Sequence, residues 1–316
     1  MTNRRQFVGY GLAALAAASS SRSAWADDVE KKVFLDYTQK QLNEAYTQTV
    51  WAPNAKQVID GYAKTSEEVR RKLPPVTYAY GDKPSERLDV FAPAGARGLP
   101  VMVFIHGGAW QQLSKEDSAG PAPVFVAAGA VYIAINFDNM PDNTLPGMVD
   151  QCRRALVWVG ANATRFGGDP ERIYVSGHSS GGHLTAVMLS TDWRACAAPA
   201  QLLKGGVVMS GMCDLAPVVL SVRGTYLKLS PEQVTEYSPI RHLNRFNCPV
   251  LVAWGTLESP EFKRQNRQLA DALAGRARLA GVLRIKGANH FEVVNELNRA
   301  DTSLTRATLA LMGLTD

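Results

Sequence analysis

A serine flanked by glycines is the first candidate for chemistry in this chain. The segment Gly177–Gly181 has the sequence Gly-His-Ser-Ser-Gly; it follows the β-branched and aromatic run Ile173–Val175 and precedes an apolar helical pattern. A strand, a sharp turn and a helix in this order hold a serine in a strained conformation, which glycines two residues to either side relieve. The pattern predicts Ser179 as a nucleophile, with the backbone NH of Ser180 suited to stabilising an oxyanion.

A serine hydroxyl becomes a useful nucleophile only beside an imidazole, and the chain has five histidines. His106 and His178 precede the serine, His183 lies one helical turn beyond it, and His242 comes before the strand expected to carry the acid. His290 directly follows the last predicted strand, which is where the base belongs in a hydrolase with this order of motifs. By elimination, His290 is the predicted general base.

The imidazole in turn needs a carboxylate, which fixes its tautomer and stabilises its charged form. Glu258 lies in the loop after a late strand, before a predicted helix begins. Glu261 falls in the first turn of that helix, where a carboxylate can simply complement the helix dipole. Asp214 and Asp271 are weaker alternatives, so Glu258 is the predicted acid.

A glycine-rich loop could complete an oxyanion hole. The apolar run Pro100–Ile105 has the character of a strand buried on both faces, and it ends in His106-Gly-Gly-Ala-Trp. Two adjacent glycines let the backbone turn its amides toward a ligand, so the NH groups of Gly107 and Gly108 are predicted to join that of Ser180. His106 is expected to brace this loop. The substrate pocket is expected to include three nearby residues: Trp110, Ala109 and His178.

Strands that alternate with helices must position these residues. Predicted strands lie at 76–80, 88–91, 100–105, 131–136, 173–178, 207–210, 249–254 and 282–285, with helices at 146–162, 260–273 and 291–312. This alternation predicts a mostly parallel, doubly wound α/β sheet with its site at the carboxyl ends of the strands. Residues 27–73 are predicted to form an N-terminal helical flap, and the long connection 213–247 a cap over the site.

The first 26 residues have the order of an export signal. Arg4-Arg5 precedes a short stretch rich in Gly, Ala and Leu, and Ala24-Trp-Ala offers small residues for cleavage. The stretch is too short and too weakly apolar to span a bilayer stably. The pattern predicts a substrate of the twin-arginine translocase, and hence a periplasmic or secreted bacterial protein whose mature part is a single domain over residues 27–316.

The charge of the chain gives no case for a polyanionic partner. Removal of residues 1–26 takes away three arginines and no acidic residue, so the formal charge falls from +5 to +2. A weakly positive body without a basic run does not favour nucleic acid or an anionic membrane surface. A small-molecule substrate is therefore expected.

The cysteines indicate neither a metal site nor a defined disulfide. None of the four stands at Cys-x-x-Cys spacing, which excludes the common zinc patterns, and no cofactor is expected. An exported protein could form disulfides in three complete pairings, and buried free thiols are the other possibility. The four residues are Cys152, Cys196, Cys213 and Cys248.

Taken together, these motifs resemble the kynurenine formamidase (arylformamidase) family of α/β-hydrolases, beside the hormone-sensitive-lipase-like esterases. The resemblance covers nearly all of the chain after residue 26, and its specific marks are Leu88–Phe91, His106–Gln111, Arg165–Pro170, Gly177–Leu184, Glu258–Phe262 and Asn289–Phe291. It implies Ser179, Glu258 and His290 as the triad and the amides of Gly107, Gly108 and Ser180 as the oxyanion hole.

The resemblance leaves three functions to distinguish. It implies hydrolysis of a small formamide or other amide, of the N-formylkynurenine type, through an acyl-enzyme. Export, and Ala109 where the family usually has tyrosine, favour the alternative of a carboxylesterase for small aromatic esters. A binding module without catalysis would lack a member of the triad, and no member is missing.

Overall fold

The computed structural model describes residues 31–314 of the 316-residue chain. The export signal predicted for residues 1–26 therefore lies outside the described residues. Within the described part, no helix is both long enough and apolar enough to cross a membrane.

Ten strands occur among residues 31–314, and eight of them build one sheet. The strands are β1 (Lys32–Phe34), β2 (Tyr37–Thr38), β3 (Val76–Ala79), β4 (Arg87–Phe91), β5 (Leu99–Ile105), β6 (Val131–Ile135), β7 (Gly168–His178), β8 (Gly205–Met209), β9 (Val250–Gly255) and β10 (Leu279–Ile285). The order in the sheet is β10-β9-β8-β7-β5-β6-β4-β3, while β1 and β2 pair separately. Five neighbouring pairs are parallel: β6 with β5, β5 with β7, β7 with β8, β8 with β9, and β9 with β10. Strand β4 runs antiparallel to both of its neighbours, β3 and β6. The predicted mostly parallel sheet is confirmed.

Strand β5 shows why these segments are apolar without alternation. Val103 pairs in register with Ile133 of β6 and with Val175 of β7, so β5 lies inside the sheet. Val103 packs into the hydrophobic cluster on one face and Phe104 into the cluster on the other. Because helices cover both faces, every position of the strand faces apolar neighbours, as buried parallel strands require.

Ten α-helices flank the sheet among the described residues. They are α1 (Gln39–Tyr46), α2 (Ala55–Lys72), α3 (Ala122–Ala127), α4 (Leu145–Asn162), α5 (Ser180–Leu189), α6 (Ala216–Leu220), α7 (Gly224–Leu227), α8 (Pro231–Glu236), α9 (Pro260–Ala274) and α10 (Ser303–Leu311). Every residue of α5 is buried, and the helix packs on β7 and β8 directly behind the predicted nucleophile. Helices α6 to α8 occupy the connection 213–247 that the sequence predicts to be a cap.

Two helical predictions are wrong in part. Residues 27–73 were expected to be helical, but residues 32–38 form the β1–β2 hairpin, whose turn includes Leu35 at a φ of 46°. The single helix expected over 291–312 is interrupted: a 3-10 helix spans Val293–Asn298, and α10 begins only at Ser303. Thr302 starts that second helix because its side chain accepts a hydrogen bond from the amide of Thr305.

The four cysteines are all free thiols. Cys152, Cys213 and Cys248 are buried and Cys196 is half-buried. Burial in apolar surroundings raises the pKa of the Cys213 thiol to about 12 and that of Cys248 to about 11, so both stay protonated and unreactive at neutral pH. Within residues 31–314, no three His, Cys, Asp or Glu side chains cluster in a way that could hold a metal ion.

Candidate active site

The turn between β7 and α5 holds Ser179 in a strained conformation, with φ at 58° and ψ at −123°. A Cβ atom on Gly177 would lie 2.4 Å from the carbonyl oxygen of Gly181, and one on Gly181 would lie 2.1 Å from that of Ile105. Only glycine fits these two positions, because the turn passes directly against its own chain and against β5. The Ser179 amide donates to the carbonyl of Met209 at 2.9 Å, which ties the turn to β8.

The three residues predicted as a triad lie within hydrogen-bond distance of one another. His290 Nε2 is 2.8 Å from Ser179 Oγ, and His290 Nδ1 is 3.2 Å from Glu258 Oε2. All three side chains are buried. The other carboxylate considered, Glu261 in the first turn of α9, instead forms an ion pair with Arg264. The structure thus joins a serine, an imidazole and a carboxylate that stand 111 and 32 residues apart.

Two donors hold the other oxygen of Glu258. The Ser210 hydroxyl donates to Oε1 at 2.6 Å and the Gly255 amide donates to the same atom at 2.7 Å. With Oε1 occupied in this way, Oε2 is left to face the imidazole. The sequence reasoning missed Ser210, although a hydroxyl just after β8 and beside β9 lies at the edge of the sheet where the site was expected.

The glycine-rich loop after β5 passes against the serine. A Cβ atom on Gly107 would lie 2.7 Å from the carbonyl oxygen of His178, and Gly108 has a φ of 102° with no room for a side chain. Their amides have no hydrogen-bond acceptor among the described residues. The Ser180 amide belongs to the first turn of α5, where NH groups have no intrahelical acceptor. These three amides are therefore available to an oxygen bound beside Ser179.

His178, predicted to line the pocket, also supports the loop of His290. Its Nε2–H donates to the backbone carbonyl of His290 at 2.7 Å, and the two rings are 4.7 Å apart. Burial, and then the neighbouring His290, lower the pKa of His178 well below its usual range. His178 is therefore a neutral hydrogen-bond donor at pH 7 that positions the imidazole beside it.

Two other histidines form hydrogen bonds that support the segments around the site. His106 Nδ1–H donates to the carbonyl of Gly107 at 2.9 Å and its ring stacks on Phe137, so it braces the glycine-rich loop. His183 Nε2–H donates to the carbonyl of Tyr237 at 2.8 Å and thereby joins α5 to the 213–247 connection. Burial lowers the pKa of each imidazole to about 4, so both are neutral at pH 7.

We expect the free energy of unfolding to fall when the pH is lowered from about 7 to about 5.5, because His106, His178 and His183 are buried in the neutral form. Their pKa values are lowered in the folded state, so the unfolded chain takes up protons first, near the ordinary value of about 6.5. Each histidine should cost about 1 kcal/mol over this range, whereas its full contribution to stability is present above about pH 7. Urea unfolding at the two pH values measures the change.

The variant His183→Gln provides the control, since it removes one of these titrating groups. Its stability should depend less on pH than that of the parent, by about 1 kcal/mol between the same two pH values. Equal pH dependence in both proteins would contradict the assignment of a lowered pKa to this buried imidazole.

A cavity of about 260 Å³ opens beside Ser179 and His290. Ala109 and His178, two of the residues predicted for the substrate pocket, line this cavity, and so do the aromatic residues Tyr46, Tyr62, Tyr226 and Phe291. Trp110, which was also predicted to line the pocket, does not reach the cavity. Its side chain is only 1% exposed and packs edge-on against His183, because the turn after Ala109 directs the indole into the core.

The N-terminal segment contacts residues adjacent in the chain to Glu258 and to His290. Gln48 Nε2 donates at 2.9 Å to the hydroxyl of Ser259, which directly follows Glu258 in the chain. The Tyr46 hydroxyl donates at 2.9 Å to Glu261, three residues after Glu258. The Tyr62 hydroxyl donates to the backbone carbonyl of Phe291, next to His290. These contacts make the segment from Tyr46 to Tyr62 one wall of the site.

The sequence comparisons find matches over nearly the full chain. The BD-FAE family model matches residues 88–195. The kynurenine formamidase of Salmo salar is 32% identical over 292 residues, which is 88% of this chain and 98% of that protein. The kynurenine formamidase of Danio rerio is 30% identical over 286 residues, or 86% of this chain and 96% of that protein.

A comparison of structures agrees on the fold. The crystal structure of EstE1, a thermostable carboxylesterase from a metagenomic library, matches with a TM-score of 0.65 and 21% identity, over 84% of this chain and 98% of that one. The α/β-hydrolase fold implied by the sequence motifs is therefore confirmed. With the two near-full-length relatives, it shows that this chain belongs to the kynurenine formamidase family of α/β-hydrolases and is a hydrolase of amide or ester bonds.

Proposed function

We propose that the protein is an exported serine hydrolase that cleaves small aryl formamides, of the N-formylkynurenine type, through an acyl-enzyme. The observation that carries the proposal is the continuous chain of hydrogen bonds from Glu258 through His290 to Ser179. Two near-full-length relatives named kynurenine formamidase support a formamide as the scissile group. The four aromatic rings in the cavity wall support an aromatic leaving group.

In the first half of the reaction, Ser179 Oγ attacks the carbonyl carbon of the substrate and its proton passes to His290 Nε2. Glu258 accepts the hydrogen of Nδ1, which keeps Nε2 unprotonated beforehand and stabilises the imidazolium afterwards. The amides of Gly107, Gly108 and Ser180 donate to the developing oxyanion. The imidazolium then gives its proton to the leaving nitrogen, the carbon–nitrogen bond breaks, and an arylamine departs.

In the second half, water replaces the amine. His290 Nε2 accepts a proton from the water as its oxygen attacks the acyl carbon of the ester on Ser179. The same amides bind the second oxyanion. Return of the proton to Ser179 Oγ breaks the ester bond and releases formate, so the enzyme is restored with one water consumed.

The alternative is a carboxylesterase for small aromatic esters, and Ala109 favours it because a methyl side chain leaves the cavity wall open beside Gly108. The two activities are separated by kcat/KM for matched leaving groups, such as 4-nitroformanilide against 4-nitrophenyl acetate and 4-nitrophenyl formate. A formamidase should turn over the anilide at a rate comparable with the esters, despite its poorer leaving group. Turnover confined to the two esters would favour the esterase.

Export through the twin-arginine translocase is part of the proposal and depends on Arg4 and Arg5. Expression of the full chain in a bacterium with this translocase should give a periplasmic protein that begins near Asp27. Conservative replacement of both arginines by lysine should retain the protein in the cytoplasm, because the translocase requires the arginine pair. Cell fractionation with N-terminal sequencing measures the result, and unchanged export of the double variant would refute the proposed route.

A further inference from the structure

Arg223 is a buried cation in the wall of the active-site cavity. It immediately precedes α7 in the 213–247 connection and is 8% exposed. Its backbone amide donates to the Ser221 hydroxyl, and the turn that carries it is tight, since a Cβ atom on Gly224 would lie 2.0 Å from the carbonyl oxygen of Val219. Arg223 is therefore held in place by its own turn.

The guanidinium of Arg223 contacts neutral groups. Nε and Nη2 donate to the backbone carbonyl of Tyr46 at 3.0 and 2.8 Å, and Nη1 donates to the Tyr226 hydroxyl at 3.5 Å. The guanidinium carbon lies 5.8 Å from the centre of the Trp110 ring. Among the residues that the structure describes, no carboxylate forms an ion pair with Arg223, although other partly buried arginines are paired, such as Arg264 with Glu261.

Arg223 places a positive charge in the cavity wall, and no carboxylate among the described lining residues balances it. Among the described residues that line the cavity, Arg223 is the only arginine, and none is a lysine, aspartate or glutamate. A cation withdrawn from water is costly unless an anion or several hydrogen bonds compensate it. The guanidinium has five N–H donors, of which the protein uses three, so each terminal nitrogen keeps one hydrogen. Two adjacent donors of this kind match the two oxygens of a carboxylate.

The geometry points to Arg223 as the binding site for a carboxylate of the substrate. This inference rests on the proposed function and narrows it: the substrate is a small aromatic amide or ester that carries a carboxylate apart from the scissile bond. The ring would lie among the aromatic side chains, with its carboxylate on Arg223 and its carbonyl at Ser179. Recognition of the charge would orient the substrate and exclude neutral aromatic compounds of the same size.

The test compares substrates that differ only in charge. 3-Formamidobenzoate, 4-formamidobenzoate and 3-formamidophenylacetate vary the position of the carboxylate, and the corresponding carboxamides keep the shape without the charge. For at least one acid, the parent enzyme should have a kcat/KM about 10- to 100-fold above that of its carboxamide, as expected for a charged bidentate contact. In Arg223→Gln, the ratio for that pair should fall to near 1.

Two further variants distinguish recognition of the carboxylate by Arg223 from a change in charge or in the structure of the 213–247 connection. Arg223→Lys keeps the charge but loses the fork, so its acid-to-carboxamide ratio should lie between those of the parent and Arg223→Gln. Arg241 lies in the same connection, 213–247, but does not line the cavity. The variant Arg241→Gln should therefore keep the acid-to-carboxamide ratio of the parent. Equal use of acids and carboxamides by the parent would overturn the inference, as would an acid preference that survives in Arg223→Gln. An equal loss on both substrates would indicate that Arg223 supports only the wall.

A binding experiment tests the role of Arg223 independently of the proposed reaction. Calorimetry with 3-aminobenzoate and 3-aminobenzamide needs no turnover and uses Ser179→Ala and Ser179→Ala/Arg223→Gln proteins. The Ser179→Ala protein should bind 3-aminobenzoate at least about 10-fold more tightly than 3-aminobenzamide, and its affinity for the acid should fall as the salt concentration is raised. The double variant should show no such preference. No turnover of any formamide or ester would refute the proposed reaction, whereas absence of this selective binding would refute the role of Arg223.

Discussion

Replacement of Ser179 by alanine should lower kcat by about 10⁴- to 10⁶-fold on whichever formamide or ester the enzyme hydrolyses best. Without Oγ there is no group to form the covalent intermediate, and His290 Nε2 loses its partner at 2.8 Å. The residual rate would come from the oxyanion-hole amides and from substrate binding. Steady-state kinetics measures the loss, and a fluorophosphonate probe, which forms a bond to an activated serine, should label the parent once and the variant not at all.

The control for this experiment is Ser176→Ala. Ser176 lies in β7, three residues before Ser179, and its buried hydroxyl has no hydrogen-bond partner among the described residues. Its removal should leave labelling intact, because the hydroxyl forms no hydrogen bond to Ser179, His290 or Glu258. Labelling of the Ser179→Ala protein, or a kcat within about 10-fold of the parent, would contradict the assignment of the nucleophile.

Replacement of Glu258 by glutamine should lower kcat by about 10³- to 10⁴-fold while the fold is retained. The reason lies in the two donors on Oε1: the Ser210 hydroxyl and the Gly255 amide require an acceptor there, so the glutamine carbonyl must occupy that position. The amide NH₂ then faces His290 Nδ1 and forces it to accept a hydrogen bond. The proton of the imidazole moves to Nε2, which can no longer take the proton of Ser179.

Glu261→Gln is the matched control, because Glu261 is the neighbouring buried carboxylate and its partners are Arg264 and Tyr46. It should reduce stability but leave kcat within about 10-fold of the parent, since it does not touch the imidazole. Kinetics and thermal unfolding of both variants distinguish the two roles. A larger loss of kcat in Glu261→Gln than in Glu258→Gln would reverse the choice of acid.

Much of the frame could be predicted because strong local patterns specify it. Runs such as 101–105 contain only residues that suit a strand buried on both faces, and each is followed by a loop or a helical pattern. The N-terminal hairpin was missed because its strands are two and three residues long, which is too short for any periodicity. The break before α10 was missed because a threonine cap is only a weak signal inside an otherwise helical segment.

The residues of the site also differ in whether the sequence alone could identify them. The residues in local motifs, Ser179 in its glycine-flanked turn and Gly107 and Gly108 in their loop, were identified from neighbours in the chain. The residues that hold the motifs together could not be identified so directly. Ser210 contacts a carboxylate 48 residues away, and Gln48 contacts Ser259 across 211 residues.

The amino-acid sequence by itself determined the class of sheet, the strained turn at Ser179 and the short set of side chains able to act with it. These depend on steric limits and apolar periods within a few residues of one another. Only the tertiary structure decided that Trp110 turns into the core, that Ser210 orients Glu258, and that Arg223 lines the cavity with no carboxylate partner within residues 31–314. Such outcomes depend on which distant segments share the space at one edge of the sheet, and packing rather than local preference selects them.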